Sequence, residues 1–331
     1  MASETTFNEI LRSYKIKARC VSSNDTNSYM SFDVALEAGG KVRDLTKYAD
    51  EISLRLKSYT KPTVKVLHNE GVVRVGFAKK RIGRLELFNL LTKKNDGLNC
   101  ILGETIDGSI MKMDLSLNPH MIISGTTGSG KSVLLHNIIA NLLNNNSSKI
   151  VLLDPKNIEF DIYTNVPNIY VKHSYLDCLT MISYLSKLMD HRYSLIARNV
   201  DVSRMPYITI IIDEFADLIM QDEDKQFYYH LCRLAQKCRA AKMHIILATQ
   251  RPAVDVINGT IKANFPARIA CRTSSVTDSR VILDCKGAEN LLGKGDALLK
   301  DNTRNLERFQ AAFTTPEEVY GRFNKNTKKY Q

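Results

Sequence analysis

From Ile101 onward the chain alternates short apolar runs with longer segments whose apolar residues recur at helical spacing. The runs are Met121–Ser124 (MIIS), Ile150–Asp154 (IVLLD), Tyr207–Asp213 (YITIIID), His244–Gln250 (HIILATQ) and Ala267–Cys271 (ARIAC). Between them Ser132–Leu143, about Leu176–Ala197 and about Lys225–Ala241 read as helices. Strands without a polar face, separated by helices, predict the α/β class, with a mainly parallel sheet covered on both faces. The earlier part of the chain reads differently. Tyr14–Cys20 alternates as a strand, Asn24–Asn27 is a polar loop, and Met30–Leu36 is a second strand. Val42, Leu45, Tyr48, Ile52 and Leu56 fall at helical spacing. Val64–Leu67 and Val72–Val75 flank the turn signal Asn69-Glu70-Gly71. The pattern predicts a small α+β domain over 1–85, a connecting segment over 86–100 after the basic triplet Lys79-Lys80-Arg81, an α/β domain over 101–319, and a polar, frayed tail over 320–331.

Composition narrows the class. With 44% apolar and 24% charged residues in a chain of 331, the protein reads as an ordinary globular one. The most apolar run, Ile208–Ile219, is interrupted by Asp213, Glu214 and Asp217, so no membrane span is expected. The start, MASETTFNEILRSYK, is not a secretory signal. The seven cysteines lack CxxC spacing and read as reduced thiols in a cytoplasmic protein. A formal charge of +11 suits a polyanionic partner, although charge alone separates neither DNA from RNA nor either from acidic lipid.

The chemistry concentrates at strand ends. Gly125–Ser132 (GTTGSGKS) fits GxxxxGK[ST], with a strand before it and a helix after it. Gly125, Gly128 and Gly130 let backbone N–H groups, together with those of Thr126, Thr127 and Ser129, wrap a phosphate; the helix start adds positive potential. Lys131 reaches the β- and γ-phosphates, and the Ser132 hydroxyl takes one Mg²⁺ position. Asp213, ending a buried strand, is the expected partner in the Mg²⁺ shell, and Glu214 the group that polarises an attacking water. The bland alternative is that this acidic pair only caps the next helix. Adjacent carboxylates also argue against a simple GTPase or small-molecule kinase. Gln250 ends the next strand as a γ-phosphate sensor. Asp154-Pro155-Lys156 lies on the same rim, as a structural turn or a functional one.

Several segments together resemble the FtsK/SpoIIIE family of DNA translocases: Pro119–Val133 (PHMIISGTTGSGKSV), Leu152–Lys156 (LLDPK), Ile210–Leu218 (IIIDEFADL), Arg233–Asp284 and Gly287–Leu299 (GAENLLGKGDALL). The similarity spans about Gly103–Val319. It implies a RecA-like P-loop ATPase core, preceded by a small α+β ring-forming domain. It further implies ATP and Mg²⁺ at subunit interfaces of a homo-oligomeric ring, usually a hexamer, around double-stranded DNA. A neighbour's arginine would then face the γ-phosphate, and by its place in AQKCRAA that residue is Arg239. The resemblance also implies DNA-facing loops at Arg251, Lys262 and Arg280, suited to backbone contacts that do not read sequence.

The chain departs from the family pattern in three respects. Val276 stands where members often carry lysine; no membrane-spanning region is present; and the sequence stops soon after Val319, without a winged-helix module. The termini MASETTF and KNTKKYQ read as native, which suits a compact translocase of a plasmid, an integrative element or a phage. The expected function is ATP-driven translocation of double-stranded DNA. The alternatives are an ATPase that moves protein, as in type VII secretion, and a DNA-binding ring that uses ATP only to assemble. A recruiting protein is left unidentified by the sequence.

Overall fold

The structure is a computed structural model that describes residues 3–58, 60–79, 83–91, 98–145, 148–203 and 205–324. Lys80 and Arg81 of the basic triplet, and the polar tail from position 325, lie outside the described residues.

The chain opens with a helix that the strand-first reading missed, α1 (Glu4–Ser13). Ser3 caps it by accepting the Thr6 N–H, Glu4 sits at its positive end, and Phe7, Ile10 and Leu11 line its buried stripe. Lys15, at φ 53°, turns the chain, so the first strand, β1 (Ala18–Asp25), starts later than Tyr14 and takes in Asn24 and Asp25 of the expected polar loop, whose Thr26 and Asn27 form the turn to the next strand. With β2 (Tyr29–Leu36), β3 (Thr63–Leu67) and β4 (Val72–Ala78) it forms an antiparallel sheet in the order β1-β2-β4-β3. Phe7 stacks on Phe32 at 4.2 Å between ring centroids, with Phe77 edge-on to both. The periodic stretch from Val42 is two helices rather than one, α2 (Val42–Lys47) and α3 (Ala49–Arg55). They break at Tyr48, whose ring stacks on Tyr14.

A short helix, α4 (Leu87–Leu90), leads into a ten-stranded sheet. Its strands are β5 (Asn99–Thr105), β6 (Ile110–Asp114), β7 (His120–Ser124), β8 (Ser148–Leu153), β9 (Ile169–Lys172), β10 (Tyr207–Ile212), β11 (Met243–Thr249), β12 (Ala267–Cys271), β13 (Asp296–Lys300) and β14 (Glu307–Ala311). The order is β6-β5-β14-β13-β12-β7-β11-β10-β8-β9. From β12 to β9 every neighbouring pair is parallel; from β13 to β6 every pair is antiparallel.

Successive residues of the parallel strands serve opposite faces. Met121, Ile123, Ile150, Leu152, Ile211 and Ile246 pack with α5 (Lys131–Asn144). Ile122, Val151, Leu153, Ile210, Ile212 and Leu247 pack with α6 (Tyr175–Ala197), α7 (Phe215–Gln221) and α8 (Gln226–Lys237). Each fully buried aliphatic side chain stabilises the fold by about 1.5–3 kcal/mol, and two covered faces explain why these strands carry no polar alternation. Three further helices complete the domain: α9 (Gly259–Asn264), α10 (Val276–Leu283) and α11 (Pro316–Phe323).

The two sheets meet along a polar seam. Tyr29, buried on β2, donates its hydroxyl to Asp296 at 3.1 Å. Asp296 also holds Arg308 through two hydrogen bonds of 2.9 and 2.6 Å, and all three side chains are buried. Arg74 bridges the small sheet's Asp33 to Asp107, and Lys65 pairs with Glu307 at 2.8 Å. Losing one member of a buried ion pair costs about 3–5 kcal/mol, so Asp296 and Arg308 are strongly interdependent.

Candidate functional site

The loop between β7 and α5 follows a path that only glycine allows at two points. Gly128 has φ 74° and Gly130 φ 102°. A Cβ on Gly130 would lie 2.3 Å from the Gly295 nitrogen. The loop is thus fastened as well as curved: Gly295 N–H donates to the Ser129 carbonyl at 2.8 Å and Lys294 N–H to that of Gly128 at 3.2 Å.

Behind the loop the charged groups satisfy one another. Lys131 Nζ lies 2.6 Å from Asp213 Oδ1 and 3.1 Å from the Asp213 carbonyl, with both side chains buried. Glu214 occupies the N-cap position of α7 but makes no side-chain cap. Its carboxylate instead accepts the Thr249 hydroxyl at 2.6 Å and the Gln250 N–H at 3.0 Å. Gln250 reaches forward, its Oε1 accepting the Thr127 hydroxyl at 3.1 Å. Lys156 Nζ stands 3.3 Å from Asp217 and 3.9 Å from Glu214.

The turn at Asp154 has a structural explanation. Asp154 Oδ2 accepts the N–H groups of Ile158, Glu159 and Phe160 at 3.0, 2.9 and 3.0 Å. The loop so fixed presents Glu159 to His136 Nε2 at 2.7 Å, while His136 Nδ1 faces the Tyr163 hydroxyl at 2.8 Å. Burial pushes the Tyr163 phenol far above its usual pKa. The phenol stays protonated, and the ionised Glu159 carboxylate can only accept from the imidazole. That bond, aided by Ser132 and Lys131, holds the Glu159 carboxyl below its ordinary value against the effect of burial.

A cavity of about 800 Å³ opens in front of these groups. Its lining includes Thr127, Lys131, Ser132 and Glu159 around the loop, and Arg84, Leu85 and Phe313. The Arg84 guanidinium lies 3.7 Å from the centre of the Phe313 ring, a flat wall. Asp213 and Glu214 are buried behind the loop and are not part of the wall.

The FtsK/SpoIIIE family model matches residues 89–205 and 195–254, which hold the phosphate loop, Asp154, the acidic pair and Gln250. The chain belongs to the FtsK/SpoIIIE family. It is 35% identical to the DNA translocase FtsK of Clostridium tetani over 94% of its own length and 45% of that protein's. Against the DNA translocase FtsK of Caldanaerobacter subterraneus it is 36% identical over 94% and 47%. It therefore spans a little under half the length of these relatives. Among solved structures, the pCW3 conjugation coupling protein TcpA with ATPγS aligns at a TM-score of 0.67 and 20% identity, covering 96% of this chain and 98% of that one. The type VII secretion ATPase EccC of Thermomonospora curvata aligns at 0.61 and 22%, covering 70% and 32%. Both likenesses are of fold: this FtsK/SpoIIIE chain is a P-loop ATPase core of α/β class with a small α+β unit ahead of it.

The remaining residues suggested by the FtsK/SpoIIIE resemblance scatter. Arg239 is exposed beyond α8, just before β11 begins. Because β11 carries its chain about 20 Å to the phosphate-loop rim, Arg239 stands at the far edge of the sheet from its own loop. Arg251 and Arg280 are exposed. Lys262 is half-buried and pairs with Asp284 at 2.9 Å, a carboxylate it shares with Arg268 and Lys300. Burial acts to raise the Asp284 carboxyl, but Lys262 and Arg268 outweigh it and hold it at about 2. Val276 is exposed at the start of α10.

Among the described residues no group of three or more His, Cys, Asp and Glu side chains could by itself hold a metal ion. The Ser132 hydroxyl and Asp213 carboxylate are hard oxygen donors, and they fit a Mg²⁺ ion that takes most of its shell from water and phosphate. The motifs had not singled out Glu159, His136 or Thr249, nor the approach of Lys156 to Glu214. The one available signal was that each lies within a few residues of a strand end or of the loop.

Proposed function

We propose that this chain is an ATP-driven translocase of double-stranded DNA that works as a closed ring of identical subunits, with six the usual number for the family. The carrying observation is the division of the site. Lys131, Asp213, Glu214 and Gln250 gather at one rim of the sheet, while Arg239 is exposed at the other. An arginine in that place cannot serve its own phosphate loop and suits a neighbour's. The DNA-translocase relatives and the +11 charge support a duplex as the cargo.

ATP binds with its phosphates on Gly125–Ser132 and its base toward Arg84 and Phe313. Lys131 then exchanges Asp213 for the phosphates; Ser132 and the freed Asp213 would be the residues that hold Mg²⁺. That ion supplies charge neutralisation at the phosphates. Glu214 orients the attacking water, and the neighbour's Arg239 stabilises the charge that develops. Gln250, bonded to Thr127, passes the state of the loop to the segment beginning at Arg251. Arg251 and Arg280 meet the DNA backbone; Lys262 joins them by loosening its pair with Asp284. The small domain closes the ring and levers the duplex. The free thiols suit the cytoplasm, where they stay reduced.

The test is steady-state ATP hydrolysis with and without linear duplex DNA at two salt concentrations, comparing the native chain with Glu214→Ala. Salt-sensitive stimulation that vanishes in the variant is expected. Turnover indifferent to duplex would overturn the reading in favour of a protein-moving ATPase, and nucleotide-dependent assembly without turnover would favour a scaffold.

A further inference from the structure

Glu159 belongs to no nucleotide-site motif, yet the fold takes unusual trouble to place it. Three consecutive amides of its loop are held by the single oxygen Asp154 Oδ2. Its own carboxylate is oriented from behind by His136, which is 2% exposed and is itself fixed by Tyr163 at 2.8 Å. What these contacts hold is a carboxylate lining the cavity beside Ser132 and Lys131. A purely structural carboxylate paired with a buried imidazole has no reason to keep part of its surface in a cavity, and Glu159 keeps 23% of its side chain exposed. An anion set near bound phosphates is unfavourable unless a cation stands between them. Lys131 is one such cation, and it is committed to Asp213 and the phosphates; the hard-oxygen donors beside Glu159 suit a second, Mg²⁺.

We propose that Glu159 is a further positioning residue of the nucleotide site: it accepts a hydrogen bond from the Ser132 hydroxyl, leaving that oxygen's lone pairs turned toward Mg²⁺, and would receive hydrogen bonds from the ion's bound water. His136 and Tyr163 keep it aimed. The inference rests on the cavity being the ATP site. It assigns Glu159 no part in activating the nucleophile, which stays with Glu214.

The experiment is binding of a fluorescent ADP analogue to the full chain, titrated with Mg²⁺ from EDTA upward, for the native chain, Glu159→Gln, Glu159→Ala and Tyr163→Phe. Partners that orient metal ligands typically contribute 10–100-fold to metal affinity. The Mg²⁺ concentration at half-effect should therefore rise about tenfold or more in Glu159→Gln and Glu159→Ala, with a smaller rise in Tyr163→Phe. Affinity in EDTA should be equal or tighter in Glu159→Gln and Glu159→Ala, because a like charge near the phosphates is gone. Glu159→Gln keeps the side chain's shape and an acceptor for His136, which guards against a folding failure. Native Mg²⁺ dependence in Glu159→Gln and Glu159→Ala would overturn the proposal while leaving the ATP site intact. A native chain that binds no nucleotide would overturn the site itself.

Discussion

The same parallel strands end in two different rims. At the carboxyl-terminal rim, buried ionisable groups each have a partner: Lys131 with Asp213, Glu214 with Thr249 and Gln250, His136 with the half-buried Glu159. At the amino-terminal rim, His120 and His244 are just as buried, but burial has made them neutral. It pushes the His120 pKa down to about 3, with His244 adding to the effect, and that of His244 to about 4. The only charge singled out there, Arg239, is in water. One rim stores charge that a ligand can redistribute; the other fixes its buried guanidinium, Arg192, on the backbone carbonyls of Ala241 and Pro206 and leaves Arg239 facing outward. An open α/β sheet has this asymmetry in principle, because loops and helix starts gather at strand carboxyl ends. On the proposed reading it separates a nucleotide's own site from the arginine that a neighbour would receive.

The contrast is broken most directly at Lys131. Lys131→Ala should abolish ATP turnover, and it should also destabilise the nucleotide-free chain by about 3–5 kcal/mol, because Asp213 loses its buried partner. Chemical denaturation measures the second effect, and Lys131→Ala combined with Asp213→Asn should recover much of it. An unchanged unfolding midpoint in the single variant would mean that the pair is solvated. Arg239→Ala probes the far rim: turnover should fall by about 10³-fold or more, as for other arginines donated across an interface, while nucleotide binding and stability stay native. Mixing this variant with Lys131→Ala should restore some turnover, since mixed interfaces can join an intact Lys131 to an intact Arg239. If mixing restores nothing while both variants assemble, the two rims do not cooperate across subunits.

A finer test sits at Thr249, whose hydroxyl bonds Glu214 and also accepts the Arg251 N–H at 3.1 Å. Thr249→Val should reduce the stimulation by DNA several-fold, through the link between the carboxylate and the segment at Arg251 proposed to face DNA. Stimulation equal to native would remove Thr249 from that link. The smallest effect concerns pH. Because the folded-state pKa values of His120 and His244 are depressed, the unfolded chain binds more protons below about pH 6.5. The stability owed to their neutrality is complete above that pH and is lost as pH falls toward 4, by at most about 1.4 kcal/mol per pH unit for each histidine. His244→Phe should flatten the decline of the denaturation midpoint between pH 7 and 5; an unaltered slope would assign the acid sensitivity to other groups.

The phosphate loop and the acidic pair could be read from the sequence because loop, strand and helix are adjacent in it, and local chemistry is what a motif records. Glu159 could not. It is one of 35 acidic residues, and its place depends on Asp154 gathering three amides and on a histidine in the second turn of α5. Thr249 was hidden in an apolar strand, where threonine reads as a β-former. The five parallel strands predicted were plain because two-sided burial leaves them almost wholly apolar; β9, with four residues at the sheet edge, was too short to register. The antiparallel flank was less legible. Arg308 and Gln310 on β14 are buried polar residues, so the strand looks like surface. Helix α1 was legible and overlooked: Ser3, Glu4, Phe7, Ile10 and Leu11 form a capped, amphipathic start. The division of Val42–Leu56 was not, since the apolar period continues across the break at Tyr48.

The seam at Asp296 reaches further than its place between the sheets suggests. The residue before it, Gly295, is bonded to the phosphate loop at Ser129, and Asp296 is bonded to Tyr29 on the small sheet. Asp296 also accepts the Leu292 N–H at 2.9 Å. Undocking the small sheet uncovers this carboxylate to solvent, and the turn from Leu292 to Gly295 loosens with it. In deuterated solvent, the amides of Leu292 and Gly295 would then exchange at the rate at which the small sheet opens, and nucleotide that tightens the loop would slow both together. Those hydrogen bonds join the phosphate loop to the small sheet across the division between the two sheets, so the two would open as one unit.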